Sequence, residues 1–495
     1  MNVRTLSSPA RINEIDAALS TTTADIVAVT EVRQSGRGSL LFPSSRVLFY
    51  SGHPQRAMQG VGFIVSGTLT RECEFHASSA RVASLTINSS RMHLVVGYAP
   101  TSAATDDEYD EFIEEVEEEM KRGRRGYRKM VLGDFNCKVE RTSTCTQVVG
   151  PYTKGPGNDR GEVFVEFCIR NRLRLLNTLF RKRSGRLWTW RSPDGITRNQ
   201  IDFVAADMQI RARDVDVVPS FAFHSDHRLL RVRMEIKDTC RRAVQRRHGR
   251  FVLDRQAYEQ NITQQPPFPA TTTEEIYTGI CATTTSAART ARVLVKDPPR
   301  LSAYTKHLLR ERNRLKSYQT AAEKQQFDAM ARSARDQMKR DVQSRKTLLV
   351  TRAIHQGRGL RAARNAGKTT RERIAIPDPI TGTVSQNATE EAIRTFYNDI
   401  FASSTRVPLR PITQQVACPP FITIELEHAI NETRIGKSPG PDRVSPEMLL
   451  YAKEKVAPLL CTLLNKCMET GSIPEAMVES HITLIHKGGT TADPG

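Results

Sequence analysis

Up to about residue 237 the chain alternates short apolar runs with turn residues: DIVAVTE, GVGFIVS, MHLVVGYAP, KMVLGDFN, NQIDFVAAD and LRVRMEI. Apolar runs of this length between Gly, Pro, Asn and Asp are strand signals. One helix interrupts them over 107–121, where Tyr109, Phe112, Ile113, Val116 and Met120 recur at helical spacing and the opposite face is glutamate. A second is expected over 164–171, ahead of the apolar run LRLLNTLF. Strands at irregular intervals with few helices between them predict a layered α/β or α+β sandwich, and not a regular parallel wheel.

The pattern breaks after Ile236, where RRAVQRRHGR gives way to TQQPPFPATTTEE, rich in Pro, Gln and Thr. A length of 495 residues suits two or three domains. We divide the chain into a sandwich over 1–237, a basic linker with long helices over 238–389 and a third segment over 390–495. Within the linker, 301–374 is dense in Arg, Lys, Gln and Ala, with Tyr304, Leu308, Leu315, Phe327, Met330, Ala334 and Met338 at helical spacing. The third segment mixes helical periodicity with the turn KSPGPD and a final strand, HITLIHK.

Lysine and arginine number 73 against 54 acidic residues, a formal charge of +19. That balance favours a polyanionic partner such as nucleic acid, and an anionic membrane surface fits the charge as well. Nine cysteines without a CxxC pair argue against a zinc ribbon or a disulfide framework and point to a reducing compartment. No apolar run approaches the ~20 residues of a membrane span, and MNVRTLSSPA lacks the apolar stretch of a signal peptide, so the expectation is a soluble, intracellular chain.

Several residues in the first 237 have the chemistry that phosphodiester cleavage needs: carboxylates for a hard cation, a group to position water, and donors for the phosphorane. Glu31 ends the strand DIVAVTE, where a carboxylate is held at a sheet rim. Asp134 and Asn136 follow the strand MVL in GDFN, two residues apart and on the same face. Asp can orient or deprotonate water, and the Asn amide can donate to a phosphate oxygen. His227 in SDHR sits beside Asp226, and Asp202 in NQIDF could take its other ring nitrogen. Tyr98, ending VVGYAP, offers a hydroxyl. Singly, each has a plainer reading: a solvated strand-end Glu, a packing Tyr, a turn after a strand, a satisfied surface His. The ordered combination within one domain is far more specific.

That ordered set resembles the endonuclease/exonuclease/phosphatase superfamily, which includes deoxyribonuclease I and the abasic-site endonucleases. The wording NVRTL, TEVR, GVGFIVS, RVASLTI, YAPTS, GDFN, LLNTLF, TWRSPDG, IDFV and SDHRLL is most similar to the endonuclease domains of LINE-type elements. The resemblance implies a four-layer, deoxyribonuclease I-like sandwich, with Asn2 and Glu31 facing magnesium (manganese being the alternative) and Asp226 near the metal. It implies that Tyr98 contacts the phosphate and Asp134 activates water beside Asn136. Asp202 and His227 are then the paired base and phosphate partner, and Trp190 packs in the core. Family members carry residues ahead of NVRTL that form a central strand, whereas here Met1 directly precedes Asn2, so sheet backbone is expected to be exposed and Asn2 to lie at a frayed end. Farther on, KSPGPDRVSPEML and GSIPEAMVESHITLIHKGG resemble the opening finger region of a reverse transcriptase. A polymerase needs paired metal-binding aspartates. The only Asp-Asp dipeptide, Asp106-Asp107, lies in the first domain, so polymerisation by this chain is not expected.

The resulting expectation is a magnesium-dependent endonuclease that nicks DNA, from a truncated non-LTR retrotransposon, nuclear when acting on DNA. RNA is a further partner for the basic middle region. Two alternatives stand beside it: a catalytically inactive nucleic-acid-binding remnant, and a phosphatase or phosphodiesterase of the same superfamily acting on a small phosphate ester.

Overall fold

The computed structural model describes residues 1–235, 250–295, 298–318, 320–355, 368, 370–402 and 419–479. The expected strand HITLIHK and nearly all of RRAVQRRHGR lie outside them. The chain forms two compact units, one of Met1–Gln245, Pro299–Ala402 and Gly488–Gly495, the other of Arg246–Pro298 and Ser403–Lys487. No described helix is long and apolar enough to cross a membrane, and every described cysteine is a free thiol.

The strands of the first unit are β1 (Ile26–Thr30), β2 (Arg37–Leu41), β3 (Val47–Ser51), β4 (Val61–Val65), β5 (Cys73–Ala77), β6 (Val82–Ile87), β7 (Met92–Tyr98), β8 (Arg128–Asp134), β9 (Leu173–Leu175), β10 (Trp190–Arg191), β11 (Arg198–Asn199), β12 (Asp202–Asp207), β13 (Ala212–Val218) and β14 (Leu229–Met234). One sheet has the order β1-β4-β3-β2, with Arg371–Glu372 added to the β2 edge. The other runs β5-β6-β7-β8-β12-β9, with Val384–Ser385 on the β5 edge, and only β7–β8 is parallel among its pairs.

Alternation along the strands dictates the layers. Val61, Phe63 and Val65 of the first sheet meet Leu85, Leu94, Val96 and Val204 of the second in one buried cluster. The opposite face of the first sheet, Val27, Val29, Leu48 and Ile64, is covered by Ile12, Ile15 and Leu19 of α1 (Pro9–Leu19). The opposite face of the second, including Val95, Val131 and Phe203, is covered by α2 (Asp106–Lys121) and α3 (Asp159–Arg170). Helix, sheet, sheet, helices: this is the four-layer α/β sandwich that the sequence predicts. Helix α2 starts one residue earlier than its periodicity indicates because Thr105 and Glu108 form a reciprocal capping box. Helix α3 starts five residues earlier, at Asp159, because the Asn158 side chain accepts from Gly161 N.

The start of the chain is not frayed. Asn2 is 1% exposed and bridges Thr30 in parallel, Val3 N donates to Thr30 O, and Leu6 N donates to Val32 O. Residues 1–6 thereby pair with the end of β1, which is otherwise the edge strand of its sheet.

The second unit packs α4 (Arg255–Thr263) and α5 (Thr273–Thr290) with helices Pro446–Tyr451 and Lys453–Thr470 around Tyr258, Ile262, Ile276, Ile280 and Val456. The long basic helices expected after residue 301 are α6 (Ala303–Arg314) and α7 (Ala321–His355), and they belong to the first unit. Leu308, Leu309, Ala334 and Met338 pack against Ala10 and Ala17 of α1. At the centre of this contact Arg312 donates to Glu14 Oε1 at 2.7 Å and Arg11 donates to Oε2 at 2.8 Å, with the Glu14 and Arg312 side chains only 1% and 4% exposed. Burial alone would raise the Glu14 pKa, but Arg312 and Arg11 outweigh it and hold the carboxyl below its ordinary range.

Removing one partner of a buried ion pair strands the other charge, so Arg312→Ala is expected to cost about 3–5 kcal/mol in urea unfolding. The depressed Glu14 pKa means that its contribution is present above the ordinary 4.5 and is lost as pH falls through the folded value. The gap between wild type and Arg312→Ala should therefore narrow on acidification. A gap that does not change with pH would show that Glu14 is not the group involved.

Candidate active site

At one end of the sandwich the strand termini of both sheets meet. The register does much of the placement: Asp134, last residue of β8, pairs with Tyr98 of β7 on one side and with Asp202 of β12 on the other. Residues paired across strands share a face, so all three side chains point between the sheets. The Gly of GDFN has a specific reason, since a Cβ at Gly133 would overlap the carbonyl oxygen of Gly97 on the neighbouring strand. Glu31 leaves β1 with φ +52°, Asn136 has φ +46°, and Arg4 and Arg33 lie at +55° and +52°. Left-handed backbone at several non-glycine positions is costly and clusters where side chains must be aimed.

Asn2 joins the two sheets. Its Nδ2 donates to Glu31 Oε1 at 2.7 Å and to Asp134 Oδ2 at 3.2 Å, while its Oδ1 accepts from Arg4 N at 2.9 Å. Tyr98, 8% exposed, gives its hydroxyl proton to Glu31 Oε1 at 3.1 Å, and Arg33 Nη2 lies 2.6 Å from Oε2. Asn136 uses one amide N–H on Ala99 O at 2.9 Å and has a second to offer.

On the other side, His227 Nδ1 lies 2.9 Å from Asp202 Oδ2, and its Nε2 lies 3.5 Å from Asp134 Oδ2. All three residues are buried at 4% exposure or less. The pairing of Asp202 with His227 expected from sequence is present, and Asp134 completes it. Asp226 points elsewhere: its carboxylate, 23% exposed, faces Arg4 at 3.7 Å and Ser225 Oγ at 3.4 Å. Of the expected site residues, Asn2, Glu31, Tyr98, Asp134, Asp202 and His227 form one connected network, Asn136 borders it through its N–H on Asp134 Oδ1 at 3.3 Å, and Asp226 lies at its edge.

Three supporting residues had not been singled out. Thr189 Oγ1 accepts from the backbone N–H of Ile201 and of Asp202, both at 3.1 Å. Asn177 donates to Asp202 O and accepts from Val204 N, both at 3.2 Å. Ser225 Oγ donates to Asn2 O at 2.8 Å and accepts from His227 N at 3.1 Å, tying the His227 loop to the start of the chain. Their only sequence signal was membership in LLNTLF, TWRS and SDHR. Tryptophan placement also differs from expectation. Trp188 is the buried indole at 4% exposure, under Arg228 at 3.1 Å, whereas Trp190 is half-buried and its backbone bridges His227.

Burial would lower the His227 pKa, but Asp202 and Asp134 more than offset it and push it up to about 9. Burial raises Asp134; His227 counters this only in part, Asp202 adds to it, and the carboxyl lies well above its usual range. For Asp202, burial is outweighed by His227, which holds it low. Glu31 is likewise held low, because hydrogen bonds from Asn2 and Arg33 outweigh burial.

Donor atoms of Asp134, Asp202 and His227 lie within 4.8 Å of one another, a spacing a metal could span. His227, however, lies between two carboxylates that favour its protonated form, and an imidazolium has no lone pair to give. The hard-oxygen donor better suited to a divalent cation is the Glu31 carboxylate, beside which Asn2 presents Nδ2 to Glu31 and Oδ1 to Arg4 N.

No family model matches the chain. Craniofacial development protein 2 of Bos taurus is 28% identical over 241 residues, 48% of this chain and 40% of that protein. Its counterpart in Tragulus javanicus is 28% identical over 241 residues, 48% of this chain and 42% of that protein. The chain thus spans about two fifths of the curated relatives it matches. Among solved structures, the catalytic domain of Xenopus laevis APE2 matches 49% of this chain and 92% of its own, at 12% identity and a TM-score of 0.35.

The raised His227 pKa contributes stability that is complete below the ordinary 6.5 and is lost as pH rises through about 9. In Asp202→Asn the imidazole should titrate lower, back toward 6.5, with the alkaline stability loss moving down with it. Nitrogen-15 NMR of the ring would read this directly, and an unchanged titration would show that Asp202 is not what holds the proton.

Proposed function

We propose that the sandwich is a metal-dependent phosphodiesterase of the endonuclease/exonuclease/phosphatase kind, that it nicks DNA, and that the chain derives from a LINE-type element. The observation that carries this reading is the meeting of a carboxylate–carboxamide pair, Glu31 and Asn2, with a buried Asp134–His227–Asp202 relay at one rim. Neither half alone suits phosphodiester hydrolysis; together they supply a seat for a hard cation and a place to move a proton.

A divalent cation, magnesium or else manganese, held by Glu31 and Asn2 with Asp226 beside them, supplies Lewis-acid charge to the phosphate when bound. Asp134, whose carboxyl lies well above its usual range, takes the proton of the attacking water. His227, kept protonated by Asp202, donates from Nε2 to the phosphorane, and the free N–H of Asn136 donates to another of its oxygens. The bond from phosphorus to the sugar oxygen opposite the water then breaks, its electron pair stays on that oxygen, which takes up a proton from solvent, and Asp134 returns its own proton to solvent. The Tyr98 hydroxyl, spent on Glu31 in this structure, positions that carboxylate. The formal charge of +19 and the basic helix α7 support a nucleic-acid substrate over a small phosphate ester. The reading of 390–495 as the start of a reverse transcriptase belongs to the same proposal and rests on the two motifs quoted above.

Supercoiled plasmid incubated with the purified chain is expected to be nicked in Mg²⁺ and left intact in EDTA. Asp134→Ala and His227→Ala should each slow nicking by about 10²–10⁴-fold, the span of a lost general acid or base. A folded chain that shifts DNA but does not nick it in either metal would establish the inactive remnant instead.

A further inference from the structure

A second feature lies beside the catalytic rim, and it is built partly from the helical arm. Between the start of α1 and one face of α7 is a cavity of about 550 Å³. Arg4, Arg11, Arg33, Arg312, Arg335 and Lys339 line it, against the one lining carboxylate, Glu14. That carboxylate is already spent, since Arg11 and Arg312 each hold one of its oxygens. The first turn of α1 also faces the cavity, adding the positive end of an 11-residue helix.

Two of the cations connect this cavity to the catalytic rim. Arg4 Nη1 lies 3.7 Å from Asp226, and Arg33 Nη2 lies 2.6 Å from Glu31. Arg4 and Arg33 thus line the same cavity as Arg335 and Lys339 while touching residues of the rim. On α7, Ala331, Arg335, Met338, Lys339 and Val342 fall on one face, with Met338 packed in the cluster that includes Ala10 and Ala17 of α1 and the cations Arg335 and Lys339 exposed. The nearest acidic group to Lys339 is Asp336, at a loose 3.8 Å between exposed side chains.

We infer that this cavity grips a backbone phosphate of the nucleic-acid strand flanking the one being cut, so that helix α7 is part of the substrate-binding surface. The inference rests on the nuclease reading above. It assigns Arg335 and Lys339 as substrate-binding residues contributed from outside the sandwich proper. Continuity with Arg4 and Arg33 is what favours a strand over a free polyphosphate.

The test uses the full chain in EDTA, where no cutting occurs, with a fluorescein-labelled DNA duplex read by anisotropy between 50 and 200 mM salt. Each phosphate contact contributes about 0.9 to the slope of log affinity against log salt. Arg335→Ala with Lys339→Ala should lower that slope by about 0.9, the share of the one phosphate gripped. Arg332→Ala with Arg340→Ala removes the same charge from exposed α7 positions outside the cavity lining and should leave it unchanged. Equal losses from the two pairs, or no loss from either, would overturn the inference. So would a cavity pair that abolishes competition by inorganic tripolyphosphate while leaving the duplex slope intact. Failure of the nuclease reading looks different. A chain that never nicks but whose slope depends on Arg335 and Lys339 keeps the groove and loses the enzyme, whereas nicking with an indifferent slope does the reverse.

Discussion

Because β8 runs parallel to β7 and antiparallel to β12, Asp134 has Tyr98 on one side and Asp202 on the other, and all three look into the gap between the sheets. A slip of one residue in either pairing would turn a carboxylate onto the helix-covered face, among Phe135, Phe164 and Phe203. The register is fixed by what lies farther down the same strands. Met130, Val96, Leu94, Val204 and Ala206 are buried between the sheets, and Val131, Val95 and Ala205 under the helices. Packing of an ordinary apolar core therefore aims the charged rim, and Gly133 allows the β7–β8 approach that brings the strands close enough.

Placing Asp134, Asp202 and His227 together in a buried rim would be prohibitive if each were alone, since isolated charges shift their pKa and neutralise. The arrangement divides the problem. Asp202 is compensated by His227 and supported by Thr189 and Asn177 through its backbone, so it stays ionised. Asp134, left with the weaker 3.5 Å contact to His227 and longer N–H bonds from Asn2 and Asn136, carries the uncompensated part and is lifted instead. Two chemically identical groups, paired in register on neighbouring strands, are thus separated in role by burial and by their different partners.

Much of this was legible in the sequence. Strand-end positions are legible because period-two alternation marks the strands and a polar residue at the end of an apolar run has few places to go, which is how Glu31, Tyr98, Asp134 and Asp202 were found. His227 was legible through its neighbours. The supporting contacts were not, because Thr189 and Asn177 act on backbone atoms of another strand and any Thr or Asn looks the same in one dimension. Helix α3 was drawn too short because its apolar positions begin at Phe164, although Asn158 with Asp159 and Glu162 in the first turn is a start signal. Trp188 and Trp190 lie two apart in TWRS and its preceding residues, and only the stacking of Arg228 tells which is buried.

The docking of the arm was the least legible feature, because it depends on Glu14 and Arg312, almost three hundred residues apart and unremarkable in their own segments. Without it, α6 and α7 read as solvated basic helices, since their charge density is high and their apolar stripe is thin. Once Arg312 is buried against Glu14, the orientation of α7 is set: Ala334 and Met338 face α1, and the adjacent Arg335 and Lys339 must fall beside the first turn of that helix. The same ion pair that seats the arm also occupies Glu14, the one carboxylate in the cavity lining, while Arg4 and Arg33 turn to Asp226 and Glu31. A contact that looks purely structural is thus what leaves Arg335 and Lys339 as exposed positive charge in a cavity that also reaches Arg4 and Arg33 at the rim.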